Sequence, residues 1–192
     1  MGFQKVVNID PAIATPGLEV NPGQAVYTAF NFVSDGTVEA GSFAFSVALE
    51  EDEAGATAMN AASKKGSAGA KVLGFVERNM SGTILNALGT ATNVYPVGAG
   101  VPIAIRGQFY AFAAAAATDG QSVLCDPTTG AITYGQAGAT NDTGWVVRLP
   151  RGVYEVAEGD VVIYENFGLT VAAAASGKSL VGTDEVGEAK AS

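Results

Sequence analysis

Between residues 94 and 134 bulky and small positions alternate over short stretches, and glycine turns break the stretches apart. Val101, Ile103 and Ile105 alternate with smaller residues, so they are expected to face one core. Arg106-Gly107 then reads as a turn, and residues 109–112 run back from it. Asp119-Gly120 turns again, residues 122–124 form a strand, residues 126–130 a loop, and residues 131–134 return. Strict alternation with turn dipeptides at short spacing predicts an all-β fold, an antiparallel sheet closing into a small barrel or sandwich.

The flanks extend this unit. Residues 1–24 carry Pro11, Pro16 and Pro22, which rule out a helix and make a poor central strand. Phe3, Val6, Ile9 and Ile13 make the same stretch too apolar for a solvated tail. It reads as an extended N-terminal arm lying on its own domain or on a neighbouring subunit. Residues 26–33 and 42–49 read as strands. In the second, Phe43, Phe45 and Val47 alternate with Ala44, Ser46 and Ala48, giving one bulky face and one small face suited to close backbone approach. Residues 50–71 change to an acidic, then small, then lysine-bearing composition, which predicts a surface excursion with a short helical turn near residues 54–62. Residues 72–78 form a strand, and residues 83–88 fit a strand or one helical turn equally well. The alanine run at residues 113–117 is too short for a stable helix and predicts a strand end or close-packed loop. Residues 145–149, 152–156 and 161–165 are the last strands of a β-rich domain spanning 25–171, and residues 172–192 read as a flexible tail.

Composition narrows the function more than the fold. Of 192 residues, 48% are hydrophobic and 15% charged, enough for a core. The net charge of −9 repels phosphate backbones, so no direct nucleic-acid contact is expected. No apolar run is long enough to span a bilayer, and no signal peptide opens the chain, so no membrane role and synthesis in the cytoplasm are expected. The chain has no histidine and a single cysteine, Cys125. That leaves a nucleophilic serine or cysteine without its usual base and a zinc ion without ligands, so no enzyme and no cofactor are expected. The acidic run at residues 50–53 lacks the alternating ligands and turn glycine of a calcium loop, so no metal site is assigned to it. Asp119, Asp126, Asp142, Glu155, Asp160 and Glu165 remain as carboxylates that would have to converge for a hydrolase. Tyr95, Tyr110, Tyr134, Trp145 and Tyr154 would have to form an exposed platform for a carbohydrate- or cell-surface-binding module, against the commoner core role of strand aromatics.

Three pieces in order carry a further signal. Residues 37–45 hold small and aromatic residues up to Phe43-Ala44-Phe45, then comes Gly74-Phe75-Val76-Glu77-Arg78. Tyr95-Pro96-Val97-Gly98-Ala99-Gly100-Val101-Pro102-Ile103 follows, leading through Gly107-Gln108-Phe109-Tyr110 to Gly120-Gln121 and a loop from Asp126 to Ile132. This order, over roughly residues 20–165, resembles the structural cement (head decoration) proteins of tailed bacteriophages. The resemblance implies a capsid protein that binds the outer surface of the expanded head, bridges neighbouring major capsid protein subunits and carries no catalytic residue. A trimer with neighbouring cement subunits fits it, as do a dimer and a monomer. Candidate contacts are Phe3, Val6, Ile9, Pro11 and Ile13 in the arm, and Arg106, Arg148 and Arg151 as partners for capsid carboxylates.

Overall fold

The computed structural model describes residues 15–47, 60–79 and 93–168. The arm contacts Phe3, Val6, Ile9, Pro11 and Ile13, the acidic run at 50–53, residues 83–88 and the tail all lie outside the described residues. Among the described residues there is no helix. The strands are β1 (Val26–Tyr27), β2 (Phe32–Ser34), β3 (Phe43–Val47), β4 (Ala61–Ser63), β5 (Val72–Val76), β6 (Gly100–Val101) and β7 (Ile103–Phe112). They continue with β8 (Ala117–Thr118), β9 (Ser122–Cys125), β10 (Ile132–Gly135), β11 (Asp142–Arg148), β12 (Glu155–Val156) and β13 (Val161–Asn166). One large sheet runs β10-β9-β11-β13-β7-β5-β3-β4-β2-β6, with β1 added to β7, while β12 and β8 form a separate ribbon.

The all-β expectation holds, but among the described residues the sheet does not close into a barrel: its end strands β10 and β6 do not pair with each other. The sheet instead curls until its two halves share a core, and a loop contact ties the curl, Gly66 N–H donating to the Pro127 carbonyl at 2.7 Å. Within the curl, Phe43 and Phe45 of β3, Phe75 of β5, Phe109 of β7, Trp145 of β11 and Tyr164 of β13 pack together. A second cluster of Val38, Tyr95, Val101 and Ile103 covers the other face of β3 and β5 and buries Ala44 and Val76. The alternation in β3 therefore works as its sequence suggests, Phe43 and Phe45 facing one core and Ala44 the other.

Three expectations are corrected. Arg106-Gly107 is not a turn, because β7 runs straight through it for ten residues. Its two halves have different partners: β5 pairs Val76 and Phe75 with Ile103 and Ala104, whereas β13 pairs Val161 to Asn166 with Phe112 to Gly107. The irregularity seen in the sequence is a bulge inside one strand, with Gly107 at φ 137°. Residues 61–63 are not a surface excursion. They form β4, fully buried, parallel to β2 and antiparallel to β3. Their alanines and serine carry little hydrophobic signal, yet small side chains suit a strand enclosed on both faces. Residues 26–33 are not one strand either. The chain breaks at exposed Ala29 and Phe30, so β1 joins β7 and β2 joins β4 and β6.

Residues 15–24, read as the end of the arm, are fastened to the sheet. Pro16-Gly17 makes a turn closed by Leu18 N–H to the Thr15 carbonyl at 3.1 Å, with Gly17 at φ 85° in the position that turn reserves for glycine. Gly17 N–H donates to the Tyr110 carbonyl and Val20 N–H to the Gln108 carbonyl, both at 2.8 Å, so this stretch runs beside β7. The Glu19 carboxylate then accepts the backbone N–H groups of Gly23, Gln24 and Ala25, which fixes the next bend.

Candidate functional site

Of the six carboxylates that a hydrolase would need, Asp126, Asp142 and Asp160 hold local turns, while Asp119 and Glu165 both flank Arg148. Asp126 accepts from Thr128 N–H, Thr128 Oγ1 and Thr129 N–H, and these hydrogen bonds hold its carboxyl below the usual range. Asp142 accepts from Gly138 and Gly144 N–H, Asp160 from Ala157 N–H, and Asp119 from Leu149 N–H. Glu165 accepts from Arg148 Nε at 3.0 Å and from Gln108 Nε2 at 2.6 Å. Among the described residues, no group of three or more His, Cys, Asp or Glu side chains stands close enough together to hold a metal ion.

Cys125 lies buried on β9, and burial pushes its thiol up to about 12. A thiol needs its thiolate to react, so at pH 8 the ionised fraction falls about a thousandfold below that of an ordinary cysteine. Native protein treated with iodoacetamide at pH 8 is expected to stay unmodified for hours, and protein in denaturant to alkylate within minutes. Mass spectrometry of the intact chain reads both.

The aromatic platform is absent. Trp145 and Tyr95 are buried, the first inside the curl and the second under residues 77–79, where its hydroxyl donates to the Glu77 carbonyl at 2.7 Å and accepts from Asn79 N–H at 2.9 Å. Tyr134 turns inward to share a 2.7 Å hydrogen bond with the hydroxyl of buried Tyr164. Of the five aromatics, only Tyr154 is largely exposed, at 80%.

What the surface offers is contact area. Phe30 and Tyr27 rim a shallow pocket of about 330 Å³ floored by Val101 and Pro102. The Tyr27 hydroxyl hydrogen-bonds the Glu77 carboxyl there, and both groups are shifted upward, chiefly by burial. A second exposed group consists of Val26, Ile105 and Phe167 around Arg106. A third lies on the bend before β12, where Val153 N–H donates to the Pro150 carbonyl at 3.0 Å and Arg151, Val153 and Tyr154 point to solvent.

The three candidate arginines sit differently. Arg148 is half-buried and engaged within the chain, by Glu165 at 3.0 Å and by Asp119 at 3.9 Å. Arg151 is exposed on its bend, and Arg106 is exposed on β7 with no carboxylate partner among the described residues. Sequence reading picked out Arg106 but missed its companions Val26 and Phe167, which are distant in the chain and arrive through the β1–β7 and β13–β7 pairings. The break in alternation at Ile105-Arg106-Gly107 marks Arg106 itself and carries no signal for either companion.

An all-β chain with turn-holding carboxylates and exposed apolar groups has the features of an interaction protein built on a rigid sheet. The comparisons narrow this. Residues 3–181 match the family model described as structural cement protein (E217 gp24/Pam3 gp6), so the chain belongs to the phage structural cement family. Among solved structures, a chain from the capsid of Myoviridae phage XM1 aligns with a TM-score of 0.55 and 16% identity, covering 87% of this chain and 99% of that one. At that identity the likeness is one of fold. No curated protein matches. The chain is thus a phage structural protein with a capsid-associated role.

Proposed function

We propose that this protein is a head-decoration cement that binds the outer surface of the expanded capsid and stabilises it by bridging neighbouring major capsid protein subunits. The observation that carries this reading is the cement-family match over residues 3–181. The architecture supports it in two ways. The strap at residues 15–24 is anchored to β7 by backbone hydrogen bonds, so an apolar segment preceding it starts from a fixed point on the sheet. The large side chains Phe30, Val97, Phe112 and Tyr154 are each more than half exposed and supply apolar contact area. The arm residues Phe3, Val6, Ile9, Pro11 and Ile13 are assigned to the neighbouring subunit, because an extended apolar segment buries much surface for few residues. Of the candidate arginines, the exposed Arg106 and Arg151 are assigned to capsid carboxylates, and Arg148 is left to its partners within the chain, Glu165 and Asp119.

Deleting residues 1–14 tests the arm. The strap's hydrogen bonds begin at residue 15, so the truncated chain is expected to melt within a few degrees of the full one. Its binding to expanded heads that lack the protein is expected to fall at least about tenfold, as for loss of a cluster of buried anchors. Full occupancy by the truncated protein at the same concentration contradicts the arm assignment.

A further inference from the structure

The bulge in β7 has a chemical consequence. Consecutive residues Val26 and Tyr27 of β1 lie opposite Arg106 and Ala104, so Ile105 is an extra residue on the β7 side. Ala104 and Gly107 on either side are buried, while Ile105 and Arg106 are both exposed. A bulge re-aims side chains in this way, and bulges concentrate where a strand presents something. Counted in regular alternation from buried Ala104, Arg106 would face inward, toward the aromatic core, and the bulge turns it out. The bulge needs Gly107, whose φ of 137° is open to glycine and strained for other residues.

The guanidinium is also supported. A Cβ at Gly168 would stand 3.1 Å from Arg106 Nη2, so the group lies against a bare stretch of backbone. That backbone is held in turn, since Asn166 Nδ2 donates to the Ile105 carbonyl at 3.2 Å and Gly168 N–H donates to Asn166 Oδ1 at 2.9 Å. Val26 is the ladder partner of Arg106, Ile105 precedes it and Phe167 precedes Gly168, so three apolar residues, exposed at 48%, 40% and 39%, are placed around the arginine as a collar. Arg106 is the one cationic side chain between Arg78 and Arg148 in a chain of net charge −9. An arginine inside an apolar collar is the composition of an interface hot spot, where neighbouring apolar contacts exclude water from a central charged hydrogen bond.

We infer that the bulge builds a docking point: Arg106, resting on Gly168 and collared by Val26, Ile105 and Phe167, takes a carboxylate on the outer surface of the major capsid protein. This rests on the cement reading above and names the chemistry of one of its contacts. The local charge favours an acidic partner site, and the collar favours one that is desolvated on contact.

The test is binding of full-length protein to expanded heads lacking it, at low and at moderate salt. Wild type is compared with Arg106→Ala, Arg106→Gln and Arg106→Glu, and with Lys65→Ala as an exposed-charge control. Arg106→Gln keeps the stem and polarity of the side chain, so it reports on the charge even where truncation to alanine disturbs the bulge. Melting curves establish that each variant is folded. Affinity is expected to fall at least about tenfold for alanine and glutamine. Glutamate is expected to abolish saturable binding, Lys65→Ala to bind as wild type, and the alanine and glutamine variants to lose much of the salt sensitivity. If wild type binds and folded Arg106→Gln and Arg106→Glu bind within about twofold of it, the docking point is wrong while the cement reading stands. If wild type binds neither unexpanded nor expanded heads, the cement reading fails and the docking point with it. If Arg106→Glu instead changes the sedimentation of the protein without heads, the carboxylate belongs to a second copy and the assignment to the capsid protein is overturned.

Discussion

Replacing Phe75 by alanine is expected to cost about 3–5 kcal/mol, the range for removing a fully buried aromatic side chain from a core. The expectation sits at the upper end because of where this ring lies. Its centroid is 5.3 Å from those of Phe43 and Phe109, 5.6 Å from Trp145 and 5.8 Å from Tyr164. These partners come from β3, β7, β11 and β13, so the ring joins the two halves of the curled sheet and no single strand can relax into the space it leaves. A domain of this size commonly has about 5–15 kcal/mol of stability, so the variant would stand close to unfolding at 37 °C. Trp145 is the only tryptophan and touches Phe75, so its emission during urea unfolding reads the transition from inside the cluster. A midpoint that moves by less than about 1 kcal/mol would mean that the two halves do not share one core.

Gly74→Ala is expected to cost about 3 kcal/mol by the opposite route, crowding in place of a void. A Cβ at Gly74 would collide with the Ala104 carbonyl oxygen and stand 2.9 Å from Ile103 Cγ2. The oxygen belongs to β7, opposite Phe75 in the β5–β7 ladder, so making room means pulling the two strands apart. Gly100→Ala is the matched control, because nothing lies within 4 Å of its added Cβ and its backbone is in an ordinary region. It is expected to stay within about 0.5 kcal/mol of wild type. Equal stability of the two variants would mean that β5 and β7 are not in close register.

Much of the strand content was legible because alternation and turn glycines are local signals. The β9–β10 hairpin fell where residues 122–134 suggested, with the Asp126 loop between its strands. Asp119-Gly120 turns as read, with Gly120 at φ 82°. Trp145 took the core position given to it, and the alanine run ends in β8 with Ala113 and Ala117 buried. What failed was decided by distant partners. Arg106-Gly107 reads locally as a turn, and only the presence of β5 beside one half and β13 beside the other makes it a bulge in a continuous strand. β4 was invisible because Ala61, Ala62 and Ser63 have neither bulk nor a polar face, and their burial comes from β2 and β3 on either side. Barrel closure was over-read for the same reason. Alternation gives each strand a buried face without saying whether the first and last strands meet.

The candidate site divides in a similar way. The lack of histidine and the single cysteine pointed away from catalysis at once. The structure adds that Asp126, Asp142 and Asp160 bind backbone N–H groups in local turns, and that Asp119 binds the N–H of distant Leu149. The surface around Arg106 could not be assembled from the sequence, because Val26, Ile105 and Phe167 meet only through non-local pairing.

The cement assignment is tested most directly by titrating purified protein onto heads from its own phage that lack it, unexpanded and expanded, followed by cryo-electron microscopy at saturation. Saturable binding to the expanded form alone, with density on the outer surface crossing between neighbouring capsid subunits, is the predicted result. Absence of binding to either form, or saturated density confined within one capsid subunit, would contradict the bridging role.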